Sequence, residues 1–302
     1  MTEHYPRIRQ QAANGALLLR ESLSVCLYIP GGHLDLRQRV LLAMKHFVEA
    51  VGPEALGLYA SSEGEWCPLD SAGWDHVRAG LLQASCPMIQ LRSQSPEDGY
   101  GFDFLGKPEA PTPFTRSQDA MSAIRFLLPT EFLDAHGPES MRKLALDLAT
   151  NLPFSSGHAG LAFDGEFDVV GVAPEVRALC FRYPGLDLLS LNHVSWDIGL
   201  RVRGPAWLTF LGQPALAGLG GVSALREQLR APGTTAEALP GDRAVITLGP
   251  WPEAGDTLLG DALPSYRELA RVLEPWLFRE QHPYIEVLSE DELLRWERRF
   301  LD

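Results

Sequence analysis

Apolar positions along this chain follow two periods, and the switches between them mark its elements. Residues 16–29, ALLLRESLSVCLYI, are a strand-compatible run that stops at Pro30-Gly31-Gly32, which predicts a strand and a turn. Val40, Leu41, Met44, Phe47, Val48 and Val51 then recur at helical spacing over residues 35–52, and Gly52-Pro53 ends the helix. LGLYAS, residues 56–61, reads as a second strand. The same order returns about a hundred residues later: a strand over 120–129 ending at Pro129, a helix over 137–152 with Met141, Leu144 and Leu148 on one face, and a strand at 159–164. Both first strands end in an aliphatic-Pro pair, Ile29-Pro30 and Leu128-Pro129, and both return strands carry Gly-Leu, which fits a weak internal duplication.

Between these units, residues 74–84 read as a short helix, and 88–94 with 100–106 as a hairpin turning at SPEDG. GKPEAPTPF, residues 106–114, is a Pro-rich connector, so the expected halves are 1–110 and 111–302, or one continuous domain. Further on, 243–249 read as a strand and 263–278 as a helix opened by a proline. Ser289 stands three residues before Glu292, a capping box that starts a last helix. The elements lack the regular alternation of a doubly wound sheet. The expected class is therefore α+β, with mixed or antiparallel sheets flanked by helices.

RGPAWLTFLG, residues 203–212, is almost without groups that take or give a proton. Pro205 can open a short helix, Trp207, Leu208 and Leu211 supply an apolar ridge, and Gly212 with Pro214 breaks it. PALAGLGGVSALREQL then reads as two short helices with Ser223 as a cap, and the whole segment as a wedge in the core.

Composition changes this picture little, and charge changes it more. The 302 residues are 45% hydrophobic and 22% charged, which is globular. Cys26, Cys67, Cys86 and Cys180 are scattered, which predicts reduced, mostly buried packing residues and neither zinc nor a disulfide framework. No apolar run is long enough to span a bilayer, and the N-terminus lacks a secretory pattern, so a cytoplasmic protein is expected. Asp and Glu number 39 against 26 Lys and Arg, a net charge of −13. That balance argues against gripping a phosphate backbone and favours a basic partner.

Catalytic templates find little here. The phosphate-binding, zinc-protease, nucleophile-elbow and dinucleotide patterns are absent. NHVSWD places His193, Ser195 and Asp197 close together, but on an extended chain they point to alternating faces, and triads assemble from distant segments. FDGEFD, with Asp164, Glu166 and Asp168, lacks a calcium-loop pattern and reads as a solvated acidic turn. Neither a cofactor nor a metal is implied.

One resemblance emerges from the C-terminal third. WDIGLRVRGPAWLTFLGQPALAGLGGVSALREQL and the later ITLGPWPEAGDTLLGDALPSYRELARVLEPWL resemble the TsiV family of bacterial type VI immunity proteins, which protect against VRR-NUC nuclease effectors. The shared features are Trp207 to Leu211 with Phe210 among them, Leu219-Gly220-Gly221, Gly255-Asp256, and Pro264 with Tyr266; they read as fold determinants. The resemblance implies a non-enzymatic inhibitor of a toxin whose DNA groove is basic. Candidate contacts are the acidic loops: Glu97 and Asp98; Asp164, Glu166 and Asp168; Glu253, Asp256 and Asp261. No heptad seam is present, so a monomer is expected, without nucleic-acid or membrane partners. Two other readings stand beside this one. They are a hydrolase whose dispersed carboxylates and histidines converge only in the fold, and a regulatory module for a small ligand.

Overall fold

A computed structural model describes residues 4–108, 119–280 and 287–302. The boundary expected at 110/111 lies outside the described residues. The first unit is β1 (Arg9–Gln11), β2 (Leu17–Ile29), α1 (His33–Val51), β3 (Leu58–Ala60), β4 (Trp66–Pro68), α2 (Ser71–Gln83) and the hairpin β5 (Met88–Arg92) and β6 (Gly101–Leu105). Then come β7 (Ser122–Pro129), α3 (Thr130–Thr150), β8 (Ser156–Gly165), α4 (Val172–Arg182) and α5 (Leu191–Asp197). The last part holds β9 (Leu208–Leu211), α6 (Ala215–Gly218), α7 (Gly221–Gln228), β10 (Thr234–Leu239), β11 (Arg243–Leu248), α8 (Pro264–Leu273) and α9 (Glu290–Glu297).

The described strands form one sheet in the order β10-β11-β9-β8-β2-β7-β6-β5-β3-β4, with β1 added to β2, and every ladder is antiparallel. This is the α+β class that the pattern predicts. β2 is the spine, pairing with β7 on one side and β8 on the other. The two strand–helix–strand units close differently: β8 returns beside β2, whereas β3 lies beyond β7, β6 and β5.

Alternation assigns the two faces. Val25, Leu27, Phe102, Phe104, Ile124 and Phe126 point to one face and pack with residues of α1, α2 and α3; the Phe47 and Phe126 rings are 5.2 Å apart. On the other face, α6, α7 and α8 cover Leu211, Ala244 and Ile246, and α5 covers Cys26, Tyr28 and Ala123. Between these covers, the described residues leave part of the sheet open.

Several expectations are corrected. Residues 208–211 form a strand, not a helical ridge: β9 lies between β8 and β11 and is buried on both faces, so helical periodicity has no meaning there. Trp207 and Phe210 do sit in the core, the indole donating to the Gly249 carbonyl at 3.1 Å. The two short helices that follow are α6 and α7, but α7 is preceded by Gly220 and not capped by Ser223. Gly220 and Gly221 have φ of 85° and 77°, a left-handed pair that glycine adopts without strain. NHVSWD is helical, not extended. α3 starts seven residues before the predicted helix and is interrupted at Gly137-Pro138, and the helix predicted to 278 stops at Leu273 in a short 3₁₀ turn. All four cysteines are free, but only Cys26 and Cys180 are buried, and Cys86 is exposed.

Candidate functional site

The open part of the sheet is the floor of a groove of about 870 Å³. Its polarity follows from the strand period. Gln90, Asp103, Arg125, Cys26 and His158 are successive cross-strand neighbours on β5, β6, β7, β2 and β8, so they share one face. Charged side chains in otherwise apolar strands require partners. Asp103 accepts from Arg92 Nη1 at 2.8 Å and Arg92 Nη2 at 3.2 Å, and from Arg125 Nε at 2.8 Å. Burial alone would raise the Asp103 pKa, but the two guanidiniums outweigh it and hold the carboxyl below the usual range. Arg20, also buried, pairs with Glu131 at 2.5 Å and donates to the Glu97 carbonyl, which fixes the hairpin turn over the groove.

Walls rise on three sides. Ser95, Pro96 and Gly99 of the β5–β6 turn form one, Glu166 to Asp168 between β8 and α4 a second, and the start of α5 with Asn192 and His193 a third. Trp66 and Met88, 48% and 60% exposed, line the groove as large apolar groups open to solvent.

Five of the eight predicted acidic residues therefore gather at one place. Asp164, Glu166 and Asp168 line the groove, and Glu97 and Asp98 belong to the turn that walls it. Among the described residues, none of these five carboxylates has a cation within 4.0 Å. Glu253, Asp256 and Asp261 lie on another part of the surface and are engaged internally. Glu253 meets His4 Nδ1 at 2.7 Å; Asp256 is held by Arg182 at 2.8 Å and accepts from Leu258 N at 3.0 Å; Asp261 accepts from Leu263 N at 3.2 Å. Gly255 and Tyr266 are likewise structural, Tyr266 sitting in the core with its hydroxyl accepting from Glu253 N at 3.4 Å.

His193, Ser195 and Asp197 do not converge: Ser195 is buried and donates to the Asn192 carbonyl at 2.7 Å, while His193 and Asp197 are exposed. The acid–base groups that do converge are ones the sequence reading missed. His158 Nε2 is 3.3 Å from Asp187 Oδ2, and Arg203 Nη1 meets Glu297 at 2.8 Å. The His158–Asp187 approach is close but poorly aligned for a hydrogen bond. Burial would lower the His158 pKa, yet Cys26 and Asp187 push it up to about 9. This cluster opens on a cavity of about 20 Å³, the size of one water molecule, so no substrate fits beside it. It ties β8 to the C-terminal residues. Among the described residues, no group of three or more His, Cys, Asp or Glu is arranged to hold a metal, and no helix is long and apolar enough to cross a membrane.

The fold matches that of the Pseudomonas aeruginosa T6SS protein PA0821, with a TM-score of 0.78 and 21% identity, over 98% of this chain and 88% of that one. No curated protein matches the chain significantly. A family model described as type VI immunity for VRR-NUC matches residues 39–300, which takes in β3 to β11, most of the groove lining and the Trp207 segment, β1 and β2 lying before it. The chain belongs to the TsiV family, the immunity proteins directed against VRR-NUC effectors of type VI secretion.

Proposed function

We propose that this protein acts in the cytoplasm as a monomer that binds its cognate VRR-NUC effector and covers the effector's basic, DNA-facing surface, transforming no substrate. A nuclease must present positive charge to a phosphate backbone, and a chain with a net charge of −13 is attracted to that surface. The observation that supports the reading is the set of carboxylates, Glu97, Asp98, Asp164, Glu166 and Asp168, beside one groove and without an ion-pair partner among the described residues. The same excess of negative charge disfavours nucleic acid as a partner. Pairing of β2 with β7 and β8 supports the two sequence halves working as one domain.

The enzyme reading finds no support in the His158 cluster, whose cavity admits about one water. Co-expression with its cognate VRR-NUC effector tests the proposal. Protection of cells and a complex stable through gel filtration are expected, and protection should persist in His158→Gln and Ser195→Ala variants that still fold. Protection without any complex, or lost with folded His158→Gln, would overturn it.

A further inference from the structure

We propose that the small cavity beside His158 is a binding site for one water molecule, which bridges the imidazole to Asp187 and joins β8 to the loops at residues 185–187 and 203–206. The site lies in the interior and stands whether or not the groove meets an effector.

His158 and Asp187 are each fixed where they cannot satisfy one another. His158 belongs to β8, opposite Cys26 of β2 and Thr209 of β9, and is 4% exposed. Asp187 is pinned to the same strand, its N–H donating to the Leu161 carbonyl at 2.9 Å and its carbonyl accepting from Phe163 N at 2.9 Å. Its Oδ1 faces Arg203 at 3.8 Å and Arg299 at 3.9 Å, while Oδ2 stands 3.3 Å from His158 Nε2 but out of line for a hydrogen bond. Cys26 is the other polar neighbour of the ring, and it is not aligned with either nitrogen. Both ring nitrogens and Asp187 Oδ2 are buried, and none of the three makes a hydrogen bond to a described residue. Buried polar atoms in folded proteins find partners, in protein or in ordered water.

The cavity has the size and lining that water needs. Its volume is about 20 Å³, and one water requires roughly 10–15 Å³. Ser24, His158, Asp187 and Arg299 line it, so a water there can donate to Asp187 Oδ2, accept from His158 or Arg299, and meet the Ser24 hydroxyl. Cavities that stay dry are apolar. A halide ion is the rival occupant of that size, and the Asp187 carboxylate on the wall repels it. Gly160, also on the wall, keeps the space. Its φ is not left-handed, and an added Cβ would lie 3.5 Å from Trp207 N and 3.6 Å from Trp207 Cβ, an ordinary contact, so the backbone alone does not demand glycine. A methyl there takes up volume that the water needs.

Three measurements on the full chain test the site. A high-resolution crystal structure should show one ordered solvent peak within hydrogen-bond distance of His158 and Asp187 Oδ2, with no anomalous signal there after a bromide soak. In solution, the His158 ring Cε1–H should show a nuclear Overhauser effect to water with the sign of an immobilised molecule. Gly160→Ala should lower the melting temperature by a few degrees, because the methyl displaces the water and strands His158 and Asp187. In a dry void the same methyl would fill space and restrict the unfolded chain, which raises the melting temperature. The proposal is overturned if the cavity holds no solvent peak, if bromide takes the position, or if Gly160→Ala is as stable as the parent or more so. Should Gly160→Ala fail to fold, the crystal and solution measurements on the parent decide.

Discussion

Asp103 sits 3% exposed between two guanidiniums, and its loss would leave both without a counter-charge. Asp103→Asn is expected to cost about 3 kcal/mol or more, measured by urea unfolding, because breaking one partner of a buried ion pair strands the other. The pH dependence has a fixed sign. The folded-state pKa of Asp103 is depressed, so its contribution is present above the unfolded value near 3.8 and is lost as pH falls below it. His158 runs the other way: with its pKa raised from 6.5 to about 9, its contribution is full below pH 6.5 and disappears as pH climbs toward 9. Unfolding midpoints at pH 6 and pH 9 should therefore differ more for the parent than for Asp187→Asn, in which the carboxylate facing His158 is neutral. Part of this was legible beforehand. One charged residue stands inside each of the apolar runs YGFDFLG and AIRFLLP, with opposite signs, and buried charges must pair. Asp187 carried no such signal, because it joins His158 only through a bridge to β8 from a loop.

At the scale of elements, period 2 and period 3.6 located β2, α1, the β5–β6 hairpin, β7 and the capping box of α9 to within a few residues. Where period was uninformative, the reading failed. β9 has only four residues, all buried, and neither a helix nor a strand pattern can be told from such a run. Trp207, which leads into it, is 1% exposed in the main core, and Trp207→Ala is expected to cost about 3–5 kcal/mol in the same unfolding assay. Gly212, which ends it, is constrained by space. An added Cβ would lie 2.4 Å from the Phe154 carbonyl oxygen, a backbone atom that cannot swing aside, so Gly212→Ala should lower the melting temperature by several degrees. The acidic loops were visible in the sequence, but which of them are paired was not, since Arg182 and His4 reach Asp256 and Glu253 only through the fold.

At the scale of the molecule, the described residues form one antiparallel sheet covered on one face by helices and left open over part of the other, and acidic loops without ion-pair partners among those residues border that opening. Charge carried on exposed loops acts chiefly on encounter. Raising ionic strength from about 0.01 M to 0.15 M shortens the screening length from about 30 Å to 8 Å, so association with the effector should slow markedly while dissociation changes little. The most direct test of the central claim is competition on the effector's own substrate: effector-bound DNA, measured while this protein is titrated in. Displacement of DNA in step with complex formation, weakened when the five groove carboxylates are neutralised, is the predicted result. An effector that holds DNA and this protein together, with its nuclease activity nonetheless blocked, would contradict it.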